Sequence, residues 1–311
     1  MQKINVAFRS KVRYMSRGDI LFNIFNYSFM IMLCIVMLYP MLNTLAISLN
    51  DANDTIKGGI YLWPREFTLY NYQYVLKENT LLNALFISVL RTVLGTAISV
   101  FCTAMVAYVI SRKEFIFRKF VTIAFVLTMY FNGGLIPTYL LMRDLGLIGT
   151  FWVYIIPGII GVFNLIVIRS FIEGLPNSLV ESARIDGAGE FTIFFKIILP
   201  LSLPVLATVS LFVAVYQWNS WFDVFLYNSS NPNLSTLQYE LMKILQNTNA
   251  TMSGKTAADA FANASGQSNA VTPASIRATM TIIASLPIIL VYPFLQKYFI
   301  KGLTLGGVKG E

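Results

Sequence analysis

Apolar residues in this chain come in long blocks, unlike the alternation of a strand or the one-sided stripe of a surface helix. Blocks at 20–49, 81–110, 120–142, 151–171, 201–226 and 276–300 each reach the roughly 20 residues that a helix needs to cross a bilayer. They predict an all-α, polytopic membrane protein with six transmembrane helices. The first block follows Arg9, Lys11, Arg13 and Arg17, as in a signal peptide. It is too long for one and lacks a small-residue cleavage site, so it is expected to stay as a span.

Six spans put both termini on one side, and the basic residues choose which. The segments on the terminal side hold fifteen Lys and Arg and the opposite loops seven, with Arg91 inside a span. Lys and Arg are retained in the cytoplasm, so both termini are expected there. The expected organisation is a cytoplasmic segment 1–19 and a transmembrane domain 20–311. The latter includes a cytoplasmic segment 172–200, an external loop 227–274 and a cytoplasmic tail 301–311.

The 172–200 segment is amphipathic, with Glu173, Glu181, Arg184, Asp186, Glu190 and Lys196 among small and apolar residues, and predicts short surface helices. The external segment is rich in Asn, Ser, Thr, Ala and Gly, a composition that favours a mobile loop. No internal repeat is visible, which argues against the inverted repeats of many secondary transporters.

Composition narrows the chemistry. The chain is 56% hydrophobic and 12% charged and contains no His, which removes imidazole metal sites and the usual general base. Cys34 and Cys102 lie within apolar blocks and read as packing residues, not as a disulfide framework. The net charge of +8 sits in clusters flanking the apolar blocks, so it reflects topology and not nucleic-acid binding. Ser253-Gly254-Lys255-Thr256 ends like a phosphate-binding loop, but the required upstream glycine position holds Asn249. Any ATP hydrolysis therefore belongs to another subunit.

The 172–200 segment carries the most specific motif. Glu181, Ser182, Ala183, Gly187, Ile197, Leu199 and Pro200 stand in the register of the EAA loop of ABC importer permeases: Glu-Ala-Ala, three residues, Gly, nine residues, Ile, one residue, Leu-Pro. Ser182 replaces the middle alanine. Gly187 allows a sharp turn between two short helices. The bland reading of the segment is an amphipathic linker lying on the headgroups. The tail, Gly302 to Gly310, resembles that of maltose-type sugar permeases; Gly306, Gly307 and Lys309 lie in a glycine-rich stretch that reads either as extended backbone able to approach another protein closely or as a frayed tail. Gln217-Trp218-Asn219 and the 129–141 stretch resemble the branch that serves complex oligosaccharides.

The resemblance implies a type I ABC importer permease fold whose 172–200 loop, with Asp186 and Ala188 beside the motif residues, docks on a cytoplasmic ATPase. It implies that the tail also reaches the ATPase pair and that the external loop meets a binding protein. The implied partners are a second homologous permease, two ATP-binding-cassette ATPase subunits, an extracellular sugar-binding lipoprotein, a sugar and the lipid bilayer of a bacterial or archaeal cytoplasmic membrane. ATP and Mg would bind the ATPase subunits, and this chain would hold no cofactor and act as a transport subunit, not an enzyme.

Polar groups at bilayer depth are costly unless they face protein or a watery path. Gln217, Asn219 and Asp223, alternating with Trp218 and Trp221, either line a sugar path or, with the two Trp on one helix, form an interfacial belt. Tyr130 and Asn132 stand beside Gly133, Gly134 and Pro137, which mark either a break lining the path or a kink for helix crossing. Arg91 is either part of a gate or a partner for helix-end carbonyls in the second permease.

Overall fold

The computed structural model describes residues 16–77, 79–254 and 271–307. Among these, helices dominate and the only bridge between extended segments pairs Asn50 with Phe67. The helices are α1 (Arg17–Ser48), α2 (Ala52–Ile56), α3 (Tyr70–Lys77), α4 (Asn79–Ser111), α5 (Arg118–Tyr130), α6 (Leu135–Asp144), α7 (Val162–Glu173), α8 (Asn177–Ile185), α9 (Glu190–Ile193), α10 (Leu199–Leu201), α11 (Leu203–Asn219), α12 (Phe222–Asn228), α13 (Leu237–Gly254) and α14 (Pro273–Gly307). A π-helical turn, Phe194–Ile198, joins α9 to α10.

Two compact units emerge, Met1–Gln73 with Thr256–Ile282, and Tyr74–Lys255 with Ile283–Glu311. In the first, α1 is apolar on every side and nearly all of it is exposed, as expected of a helix whose neighbours are lipid or other proteins. The loop after it is organised by Asn50. Its Oδ1 accepts from the Glu66 amide at 2.9 Å, and its Nδ2 donates to Asp54 at 3.1 Å. Asp54 also receives Arg65 Nε at 2.9 Å.

In the second unit α4 is the hub, packing against α7 and α11. Their shared core runs from Val100, Ala104 and Ala107 on α4 through Leu165 and Ile168 on α7 to Val205, Val209 and Val213 on α11. Small residues let the backbones approach, as is usual between helices in membranes. Gly95 shows the limit, because a Cβ there would lie 2.8 Å from Gln217 Nε2.

Among the described residues three helical stretches, Gly18–Ser48, Thr80–Ser111 and Pro273–Val291, are long and apolar enough to cross a membrane. Two bent pairs raise the number to five if each is one span. The expected span at 120–142 is instead two helices of 13 and 10 residues. Asn132 Oδ1 accepts the Gly134 amide at 2.9 Å, and Gly134 has φ +91°. Pro137 lies in the first turn of α6, where its missing N–H is harmless. The break therefore comes from Asn132 and Gly134. Phe151–Gly158 and Val162–Glu173 meet at 51°, and Glu190–Leu201 and Leu203–Asn219 at 78°, so the 151–171 and 201–226 blocks are bent.

Two further expectations need correcting. Within the 227–274 segment, residues 237–254 form helix α13 and not a loop, while 255–270 lie outside the described residues. Leu237 and Tyr239 are buried, the Leu237 amide donates to Ser88 Oγ at 2.9 Å, and Lys243 pairs with Glu240 at 2.7 Å while lying 4.5 Å from the Tyr239 ring centroid. α14 runs to Gly307, so the start of the tail, including Gly306 and Gly307, is helical and not extended. Lys309 lies outside the described residues.

Candidate coupling helix and buried ion-pair cluster

α8 is a short helix with two faces. Val180 and Ala183 point into the α4–α7–α11 core, while Glu181, Ser182 and Asp186 are exposed and Ile185 is 87% exposed. The spacing of three and four residues along a helix produces this division. Ala183 is thus a packing residue, as are Ala188, Ile197 and Leu199, which lie half-buried against the same core. Pro200 is exposed.

The end of α8 explains the glycine. The Ala188 amide donates to the Ala183 carbonyl at 2.9 Å and the Gly187 amide to the Arg184 carbonyl at 3.0 Å. This is a Schellman motif, which needs a left-handed residue at the first position beyond the cap. Gly187 has φ +80°, with no atom within 4 Å of where a Cβ would stand. Its role is therefore conformational and not steric.

Arg184 secures α8 to its surroundings. Its Nη1 donates to Glu114 at 2.7 Å, and its Nη2 donates to Glu190 at 2.7 Å. Glu190 also accepts the Tyr108 hydroxyl of α4. The Arg184 guanidinium beside Glu114 holds that carboxyl below its usual range. Arg184 and Glu190 were visible in the sequence as charges of the amphipathic segment, but their links to Glu114 and Tyr108, 70 and 82 residues away, were not.

From α8 the chain passes through the π turn, where Phe194 lies 5.4 Å from the Tyr108 ring and 6.3 Å from Phe101. Pro200 has no N–H to give and crowds the carbonyl four residues back, and a π turn at that place spares the α-helical hydrogen bond. A 78° elbow at Ser202 then leads into α11.

The far end of α11 carries the second feature. Arg91 of α4 is 1% exposed. Its Nε donates to Gln217 Oε1 at 2.8 Å, its Nη1 to the Ser220 carbonyl and to Asp223 Oδ1, each at 3.1 Å, and its Nη2 to Asp223 Oδ2. Its face lies 4.7 Å from the Tyr154 ring centroid. Arg91 is thus compensated within this chain. The helix-end carbonyl that it meets is Ser220, at the end of α11, and not one from a partner.

The residues considered for a solute path separate accordingly. Gln217 and Trp218 are buried, with Gln217 taken by Arg91 and Trp218 Nε1 donating to the Ala284 carbonyl at 2.9 Å. Asp223 is held by Arg91, and Trp221 caps α12. The helix ends at Asn219, so Trp218 and Trp221 do not share one helical face. Tyr130, Asn132 and Asn219 are exposed. Among the described residues no group of His, Cys, Asp and Glu has the arrangement of a metal site.

The comparisons with known proteins agree with this architecture. The family model described as "Binding-protein-dependent transport system inner membrane component" matches residues 13–305. The chain is 36% identical over 292 residues to the polygalacturonan/rhamnogalacturonan transport system permease protein YtcP of Bacillus subtilis, covering 93% of this chain and 99% of that one. It is 38% identical over 291 residues to Protein LplC of the same organism, covering 93% and 95%. A subunit in the crystal structure of a bacterial ABC transporter involved in the import of the acidic polysaccharide alginate superposes with a TM-score of 0.81. That match has 27% identity and covers 92% of this chain and 99% of that subunit. On a match spanning almost its whole length, the chain belongs to the family of inner membrane components of binding-protein-dependent transport systems.

Proposed function

We infer that this chain is one permease subunit of an ATP-driven importer of oligosaccharides, working by alternating access. It pairs with a second homologous permease and two ATPase subunits that bind ATP and Mg, and it receives sugar from an external binding lipoprotein. Both termini and α8 face the cytoplasm. Relatives named for transport of polygalacturonan/rhamnogalacturonan and for import of alginate support the substrate class.

One observation carries the reading. α8 presents Glu181, Ser182, Ile185 and Asp186 outward, is tied through Arg184 to Glu114 and to Glu190, which in turn holds Tyr108 of α4, and leads through an elbow into α11, whose other end holds Arg91. A push on α8 is therefore delivered to α11 and not absorbed by a loose loop. Tyr130, Asn132 and Asn219, which are exposed, are the candidates on this chain to meet solute.

The test is reconstitution of the transporter in liposomes, with galacturonan and alginate oligomers as ligands for ATPase stimulation and uptake. The reading expects stimulation by an oligosaccharide, and loss of uptake when Glu181 and Gly187 are replaced in an assembled complex. Unchanged uptake in that variant would sink the coupling role, and stimulation only by a non-sugar solute would sink the substrate class.

A further inference from the structure

At the end of the bundle that carries α8, a cleft of about 410 Å³ opens between the 112–118 connection and α8, with Arg112, Lys113, Arg118, Glu173, Glu181 and Arg184 in its lining. Its charges do not balance. Arg184 is taken by Glu114 and Glu190, and Glu173 by Arg169 at 2.9 Å. Among the described residues Arg112, Lys113 and Arg118 form no ion pair, and the remaining carboxylate of the cleft is Glu181.

Arg112 is the informative member. Its guanidinium lies 4.3 Å from the Tyr108 ring centroid, which covers one face. Its Nε and Nη2 are buried and have no hydrogen-bond partner. Both nitrogens are closed to solvent, so Arg112 offers the cleft its charge and not an open guanidinium edge. A cluster of cations without ion-pair partners is left uncompensated in the cleft, which points to an anionic ligand.

The surroundings choose among oxyanions. Arg112 directly follows α4 and Arg118 opens α5, so the cleft lies where two apolar helices end. Between and beside the cations, Ile116 is 89%, Phe117 63% and Phe120 72% exposed. Cations interleaved with exposed apolar side chains at helix ends are the pattern of a chain segment at the boundary of headgroups and acyl chains. We propose that the cleft binds the phosphate of an anionic phospholipid. Arg112, Lys113 and Arg118 supply the charge that holds it, and Ile116, Phe117 and Phe120 lie against the acyl chains. The lipid then sits beside the Arg184–Glu114 contact that anchors α8. The inference needs only membrane insertion, and neither the substrate nor the coupling role assigned above.

The experiment is native mass spectrometry of the transporter complex released from nanodiscs of phosphatidylcholine mixed with phosphatidylglycerol. The wild type is expected to retain phosphatidylglycerol over phosphatidylcholine by roughly tenfold or more, as a charge-assisted pair implies. Arg112→Gln should lower the ratio severalfold, and Arg112→Lys, which keeps the charge, should leave it near the wild-type value. Should Arg112→Gln fail to fold, Lys113→Gln with Arg118→Gln should still lower the ratio. No preference in the wild type, or the same preference in all variants, would overturn the proposal. So would a preference abolished by inorganic phosphate, which would assign the site to a free anion. Loss of the ATPase subunits from a folded Arg112→Gln permease in both lipids would instead assign the cleft to a protein carboxylate, and would overturn it equally.

Discussion

The Arg91 cluster allows a quantitative test. Asp223→Asn keeps the shape of the side chain but removes the charge facing Arg91, which is 1% exposed and has no route back to water. Breaking a buried ion pair from one side costs about 3–5 kcal/mol. Gln217, the Ser220 carbonyl and the Tyr154 ring still contact Arg91, so the expected loss is at the lower end, about 3 kcal/mol. Arg91→Met frees Asp223, which at 22% side-chain exposure recovers some hydration, but it strands Gln217 Oε1 and the Ser220 carbonyl. Its expected loss is also about 3 kcal/mol. In the double variant neither charge is left unpaired, so the combined loss should fall short of the sum by about 2 kcal/mol. Unfolding by SDS titration in mixed micelles measures all four corners of the cycle, with fluorescence reporting through Trp218 and Trp221 nearby. Losses that add to within about 0.5 kcal/mol would refute the account of a mutually compensated pair. If Arg91→Met gave a fully assembled complex with altered transport, Arg91 would be part of a gate and not a structural clasp.

Gly187→Ala should cost α8 about 1–2 kcal/mol, because the site is sterically open but its φ of +80° is poor for a Cβ. Gly187→Asn should cost less. Hydrogen exchange at the Gly187 and Ala188 amides measures this, and equal protection in all three proteins would contradict it. Gly95→Ala should displace Gln217 and cost about 1–3 kcal/mol. Gln217→Ala in the same protein should restore room, so thermal stability that fails to improve in the double variant would count against the close approach. For Asp54, burial raises the carboxyl, but hydrogen bonds from Asn50 and Arg65 and the charges of Arg65 and Lys57 outweigh it and place it below its ordinary 3.8. A lowered value means that the stabilisation is present above that ordinary value and is lost as pH falls through the lower one. Exchange protection of the Asn50–Phe67 pairing should therefore hold from neutrality to about pH 4 and fall below it, and Asp54→Asn should remove the acid step. A step that survives the substitution would reject the assignment.

What the residues alone determined about this protein is local in origin. An apolar block of sufficient length makes a lipid-embedded helix wherever it packs, and α1 and α4 formed where the blocks lay. The turn after α8 was equally legible, because Gly187 is needed for a single residue's φ and for bonds spanning five residues or fewer. Tertiary structure decided the rest. Arg91 was visibly a buried charge, but Gln217 and Asp223 lie 126 and 132 residues away in sequence, and no local pattern distinguishes a clasp inside the chain from a contact with a partner. The same holds for Arg184, whose partner Glu114 is 70 residues distant. The 227–274 segment read as a mobile loop because its composition is polar, yet its residues 237–254 form a helix whose Leu237 and Tyr239 are buried in the second unit. Periodicity and turn chemistry are set by neighbours along the chain. Which buried charge meets which counter-charge is set by packing, where desolvation makes each such choice worth several kcal/mol.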